Sequence, residues 1–144
     1  MFYSFGNRDI CINFNNIIYF KRLPERLIFN FDYVINNNGA EYPDYIYVDH
    51  YESSDLDFMT TTWFNKHFMK ITDNIWLRID KIASFKYKDG KVIYNMAIAQ
   101  NHRFVKRGGQ PSQQVVSSIF LYENATHERY NEIVRTVNQV YAKR

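Results

Sequence analysis

The sequence has a single cysteine, Cys11, in 144 residues, which excludes an internal disulfide and with it the cross-linked class of small secreted domains. Its place in an alternating stretch predicts an inward-facing strand residue, a small buried hydrophobe. No apolar run approaches the roughly 18 residues that a membrane span needs. The opening "MFYSFGNRDI" has neither the basic start nor the apolar block of a secretory leader, so a cytoplasmic protein without a membrane partner is expected. Four histidines, His50, His67, His102 and His127, are scattered with no HxH or HExxH spacing, and no metal site is expected. Also missing are a Gly-x-Ser-x-Gly elbow, a clear pair of catalytic carboxylates and a basic partner for Cys11. The expectation is a protein that is not an enzyme, with no catalytic residue and no cofactor.

What is present is enough to fold. Hydrophobic residues make up 46% and aromatic residues 18%, and so many Phe and Tyr side chains can offset the entropy of ordering the backbone. The length suits one compact domain, or two very small ones sharing a core. The second possibility gains weight because the chain repeats itself. "DICINFNNIIYFKRLPERLIFN" returns 65 residues later as "NIWLRIDKIASFKYKDGKVIYN". Without a gap, Ile10 aligns with Ile75, Ile17 with Ile82, Phe20 with Phe85, Lys21 with Lys86, Ile28 with Ile93, Asn30 with Asn95 and Asn36 with Asn101. Ile12 with Leu77, Phe14 with Ile79, Leu27 with Val92 and Phe29 with Tyr94 are conservative matches.

Each copy follows one plan. A short strand leads through a polar turn into an alternating strand, "ICINF" or "IWLRI", and a bend at Asn15-Asn16 or Asp80-Lys81 precedes a third strand. A hairpin turn follows, on Pro24-Glu25 in one copy and on Asp89-Gly90 in the other, where Gly supplies a positive φ. Two more strands and a helix complete the unit. For the second helix, Tyr130, Ile133, Val134, Val137 and Tyr141 fall on one stripe of 3.6-residue period, with Thr126 placed as N-cap. For the first, from about Ser54 to Asn65, Leu56, Met59 and Trp63 have helical spacing. The predicted fold is α+β: two tandem copies of a mostly antiparallel five-stranded sheet or partial barrel, each closed by a C-terminal helix. The copies span residues 1–66 and 67–144, packed as one unit and related by a pseudo-twofold axis.

The run "IWLRIDKIASFKYKDGKVIYN", with its late strand and terminal amphipathic helix, resembles the small PH-like barrel-plus-helix proteins common in phages and prophages. The resemblance covers most of residues 68–142 and, less closely, the first half. It implies a phage- or mobile-element-encoded protein acting in the host cytoplasm, and an anti-defence role as a nucleotide sponge or an inhibitor.

Charge divides the halves. Residues 1–66 hold five basic and nine acidic side chains, a net −4, whereas residues 67–144 hold thirteen and six, a net +7. Such asymmetry can steer anions to the basic half, or guide the acidic half of one molecule onto the basic half of another, predicting a homo-oligomer. The sharpest candidate site is "QNHRFVKRGGQPSQQ", residues 100–114. It gathers His102, Arg103, Lys106 and Arg107 beside Gly108 and Gly109, whose backbone N–H groups can approach an anion, and Phe104, which can stack on a base. The leading expectation is therefore a non-enzymatic binding protein that sequesters a phosphate-bearing ligand such as a nucleotide, or blocks a host protein. The alternatives are a DNA- or RNA-binding module using the basic half with surface aromatics Tyr87, Tyr94 and Phe104, and a structural component of a phage or secretion assembly.

Overall fold

The computed structural model describes residues 1–5, 10–37, 40–98 and 117–142. A hairpin of β1 (Phe2–Phe5) and β2 (Ile10–Asn13) leads through a 3-10 turn (Phe14–Asn16) into a meander of β3 (Ile17–Arg22), β4 (Arg26–Asn37) and β5 (Ala40–Asp49). A 3-10 segment (Ser53–Thr60) and the short helix α1 (Thr62–His67) end the first half. The same order then recurs: hairpin β6 (Phe68–Thr72) and β7 (Ile75–Arg78), a 3-10 turn (Ile79–Lys81), meander β8 (Ile82–Lys88), β9 (Lys91–Ile98) and β10 (Ser117–Asn124), and helix α2 (His127–Ala142). The starts of β2, the first 3-10 turn, β3 and β4 each lie 65 residues before their counterparts. The chain is α+β, mostly antiparallel sheet with a C-terminal helix, and the expected boundary at residue 66 falls within α1. No helix among the described residues is long and apolar enough to cross a membrane.

The hydrogen bonds do not make a five-stranded sheet in each copy. Hairpin β6–β7 joins the meander of the other half, β7 pairing with β3, and the central sheet has the order β5-β4-β3-β7-β6. Sheets β1–β2 and β8–β9–β10 remain two- and three-stranded. The cause is the apolar content of both faces. Tyr19 lies opposite Leu77 and Phe20 opposite Trp76, so the joined strands carry bulk on each side and are stable only as a middle layer. Nor do the pairings close a twofold. That symmetry would pair β2 with β8 as it pairs β7 with β3, and no such pair exists among the described residues.

Two cores result, one on each side of the central sheet. On one side β1–β2, the 3-10 segment and α1 bring Phe5, Ile12, Phe14, Phe58 and Phe64 onto Phe20, Leu27 and Phe29. The rings meet mostly edge-on, and Phe20 stacks on Trp76 at 5.0 Å. On the other side, Leu77, Ile79, Val92, Tyr94 and Met96 pack under Ile133 and Val137 of α2, with Phe85 half-buried at the margin. Positions related by 65 residues thus do the same work twice: Ile12 and Leu77, Phe14 and Ile79, Leu27 and Val92, Phe29 and Tyr94. The α2 stripe behaves as its period predicts at Ile133 and Val137, and Thr126 Oγ1 accepts from the Arg129 amide at 3.2 Å. The Asp89-Gly90 turn has φ values of 52° and 73°, the two positive angles of a type I′ hairpin.

Several expectations are corrected. Thr61 is extended, with ψ 149°, and splits the first helix; its side chain caps α1 by accepting from the Phe64 amide at 3.1 Å. Leu56, Met59 and Trp63 are only half-buried, and Phe58 and Phe64 fill the core instead. Cys11 is exposed, not buried. In β2 it is Ile12 that turns inward, so its neighbour faces out.

One polar network sits inside the second core. The Tyr94 hydroxyl donates to Glu123 at 2.7 Å, and Arg129 Nε donates to the other oxygen of the same buried carboxylate at 2.7 Å. Burial first, and then the hydrogen bond and negative charge of Glu123, push the Tyr94 phenol well above its ordinary range. Tyr94→Phe should cost about 1–3 kcal/mol, because Glu123 loses a donor where water cannot replace it. The sign of the pH effect follows: below about pH 10 both states hold the Tyr94 proton, whereas above it only the folded state does, so stability falls as pH rises. Denaturant titrations at pH 8 and 11 should show that loss in the wild type and a smaller one in Tyr94→Phe.

Candidate functional site

The excess of cations in the second half is not uniform in availability. Arg78 is buried and bonded to Asp80 at 2.7 Å, Lys81 pairs with Asp32 at 2.8 Å across the halves, and Arg129 holds Glu123 and Glu132. These three are structural. Lys86, Lys88 and Lys91 are exposed and have no carboxylate partner among the described residues. They stand together because of strand register. In the β8–β9–β10 sheet Val92, Tyr94, Met96 and Leu121 point into the core, so the alternate residues form the outer face. Its cross-strand rows are Ser84–Asn95–Phe120, Lys86–Ile93–Tyr122 and Lys88–Lys91–Asn124.

Phe120 and Tyr122 are 52% and 56% exposed, large values for rings in the middle of a strand. Ser84, Phe85, Lys86, Ile93, Asn95 and Phe120 line a depression of about 390 Å³ on this sheet. The Asn95 side-chain oxygen is buried there without a hydrogen-bond partner among the described residues. A buried acceptor left open costs free energy until a donor arrives. Two exposed rings and three unneutralised ammonium groups therefore share a surface with no carboxylate among the described residues. A planar, anionic molecule matches this set.

The first copy supplies an internal control. Its corresponding rows by register are Tyr19–Asn30–Tyr45 and Lys21–Ile28–Tyr47, but Asn30 is buried and Tyr19 packs against the second core, so the open end of this face is the one with Tyr45 and Tyr47. Its third row differs in charge. Arg26 there is bonded to Asp49 at 2.5 Å and its guanidinium lies 4.3 Å from the Tyr47 ring centre, whereas the second copy places Lys91 opposite Asn124. Carboxylate in one copy and amide in the other leaves Lys21 alone on the first face without a carboxylate partner among the described residues, against Lys86, Lys88 and Lys91 on the second.

The sequence singles out other residues. Those predicted to bind ligand, His102, Arg103, Phe104, Lys106, Arg107, Gly108 and Gly109, lie outside the described residues; they belong to the connection between β9 and β10. Tyr94 is fully buried and Tyr87 packs against His127 and Tyr130 of α2, so neither is the surface aromatic expected of it. Phe120 and Tyr122 take that place. In "SSIFLYEN" every central residue is apolar, which hides the alternation that would mark them as outward. A larger groove of about 670 Å³ runs between α1, β6 and α2, but Lys66 is its one charged lining residue among those described. No group of three or more His, Cys, Asp or Glu side chains with metal-binding geometry occurs among the described residues.

No protein-family model matches the chain, and no curated protein does. Among solved structures, it is similar to the LytTr DNA-binding domain of a Bacillus cereus protein described as a methyl-accepting/DNA response regulator. The similarity covers 93% of this chain and 94% of that one, with 7% identity and a TM-score of 0.43, a level that says nothing about function.

Proposed function

We propose that this chain is a non-enzymatic nucleic-acid-binding module that holds single-stranded DNA or RNA on the outer face of the β8–β9–β10 sheet. The observation that carries the reading is the exposed Phe120 and Tyr122 pair set among Lys86, Lys88 and Lys91 with no carboxylate on the face among the described residues. Unpaired bases stack on exposed rings, and ammonium groups beside them neutralise the backbone. A duplex hides its bases and presents no ring to stack, so single strands are preferred. Sequestration of a small phosphate-bearing ligand by the 100–114 segment is the reading that the sequence favours first. In sequence the segment joins the two strands that carry Asn95 and Phe120.

Fluorescence anisotropy with labelled single strands of increasing length, and with duplexes of equal length, tests the proposal. Affinity should rise with strand length and exceed that for duplex. Replacing Lys86, Lys88 and Lys91 by Gln should lower the slope of log affinity against log salt by about 2, at roughly 0.7 per lost phosphate contact on a single strand. Affinity independent of length, or a salt slope unchanged by the triple substitution, contradicts it.

A further inference from the structure

The join between the halves is one-sided, and its other half is unused. Strand β7 of the second copy adds to the free edge of β3 in the first, with Tyr19 opposite Leu77, Phe20 opposite Trp76 and Lys21 opposite Ile75. Shifting each partner by the 65-residue repeat gives the equivalent pair: β2 as the added strand and β8 as the edge that receives it. Both exist with a free side, since β2 bonds only to β1 and β8 only to β9 among the described residues. They do not meet within the chain.

We infer that a second copy of this chain supplies the missing partner, β2 of one molecule adding to β8 of the next in the register of the internal join. Lys86 then lies opposite Ile10, Phe85 opposite Cys11 and Ser84 opposite Ile12. Three observations support this occupant. Free strand edges are templates for pairing, and of the six paired positions Ile10, Phe85 and Lys86 keep the residues of the internal join and Ile12 stands for Leu77, whereas Cys11 and Ser84 take the places of Trp76 and Tyr19. The exposure of Cys11 agrees with this, because its counterpart Trp76 is buried in the internal join, where it stacks on Phe20, and the counterpart of Phe20 is the half-buried Phe85. The donor strand belongs to the half with net charge −4 and the acceptor edge to the half with +7, so approach in this sense is attractive. The association is heterologous, building rings or open chains. It leaves the rings of the nucleic-acid face open: in the internal join, Tyr45 and Tyr47, which match Phe120 and Tyr122, stay 46% and 39% exposed, whereas Asn30 and Tyr19, which match Asn95 and Ser84, are buried and half-buried.

Sedimentation velocity of the full chain at low salt should show mass rising with concentration, and a return to monomer near 1 M salt, where the screening length is about 3 Å. Cys11→Lys blocks the donor strand and Ser84→Lys the acceptor edge; both positions are exposed, so both variants should fold and stay monomeric. Mixed in equal amounts, they retain one good junction between them and should form a dimer and nothing larger. A wild type that stays monomeric at millimolar concentration overturns the inference. So does association that either variant leaves intact, or a mixture that stays monomeric.

Discussion

Replacing Phe120 and Tyr122 together by Ala is expected to weaken single-strand binding by at least about thirtyfold. Each base stacked on a ring contributes about 1–3 kcal/mol, so losing both rings removes about 2 kcal/mol at the least. The fold should survive, since both rings are more than half exposed and the change costs under about 1 kcal/mol each in strand propensity. The informative comparison is Tyr45→Ala with Tyr47→Ala, which removes the equivalent rings of the first copy. There Arg26 is engaged by Asp49, so that pair should change affinity by less than about twofold. Anisotropy titrations of the two double variants under one salt condition check both statements. Equal losses would mean that binding follows aromatic content and not the divergence between copies.

The largest effect on stability is expected at Arg78. It is 6% exposed, and its guanidinium ties the halves together: Nη1 donates to the Phe14 carbonyl at 2.7 Å, while Nε and Nη2 hold Asp80 at 2.7 and 3.1 Å. The planar group also lies 5.1 Å from the Trp63 ring centre. Arg78→Met keeps the apolar stem and removes the guanidinium from Asp80 and from the Phe14 carbonyl. The cost should be about 3–5 kcal/mol, the usual result of breaking a buried pair from one side. Arg78→Lys should recover little, because a point charge cannot reach Phe14 and Asp80 together in the fork geometry. Urea denaturation checks the magnitude. Adding Asp80→Asn to Arg78→Met should cost less than the sum of the single changes, since each removes what the other needs.

The repeat was legible because both copies solve one packing problem with one pattern. Ile12 and Leu77, or Leu27 and Val92, are inward-facing strand residues in equivalent cores, and alternation records that directly. The turns were legible for the same local reason, Asp89-Gly90 being suited to two positive φ values. Strand partnership was not. The period of a strand says which side chains share a face and nothing about which edge it bonds, so the passage of β6–β7 into the other half's sheet left no local trace. Thr61 deceived for another reason: the same hydroxyl that lowers helix propensity inside a helix makes a good cap at its start. The face with Phe120 and Tyr122 was missed because β10 is apolar on both sides, and a continuous apolar strand reads as buried.

The most direct test of the central claim is a titration of the isotopically labelled chain with a short single strand, followed by amide chemical shifts. The expected result is a contiguous set of shifts on Lys86, Ile93, Asn95, Phe120 and Tyr122, absent from Tyr45 and Tyr47 and diminished when Lys86, Lys88 and Lys91 are replaced. Shifts centred on α1 and α2, shifts of equal size on the Tyr45 and Tyr47 face, or none at saturating oligonucleotide would contradict the account.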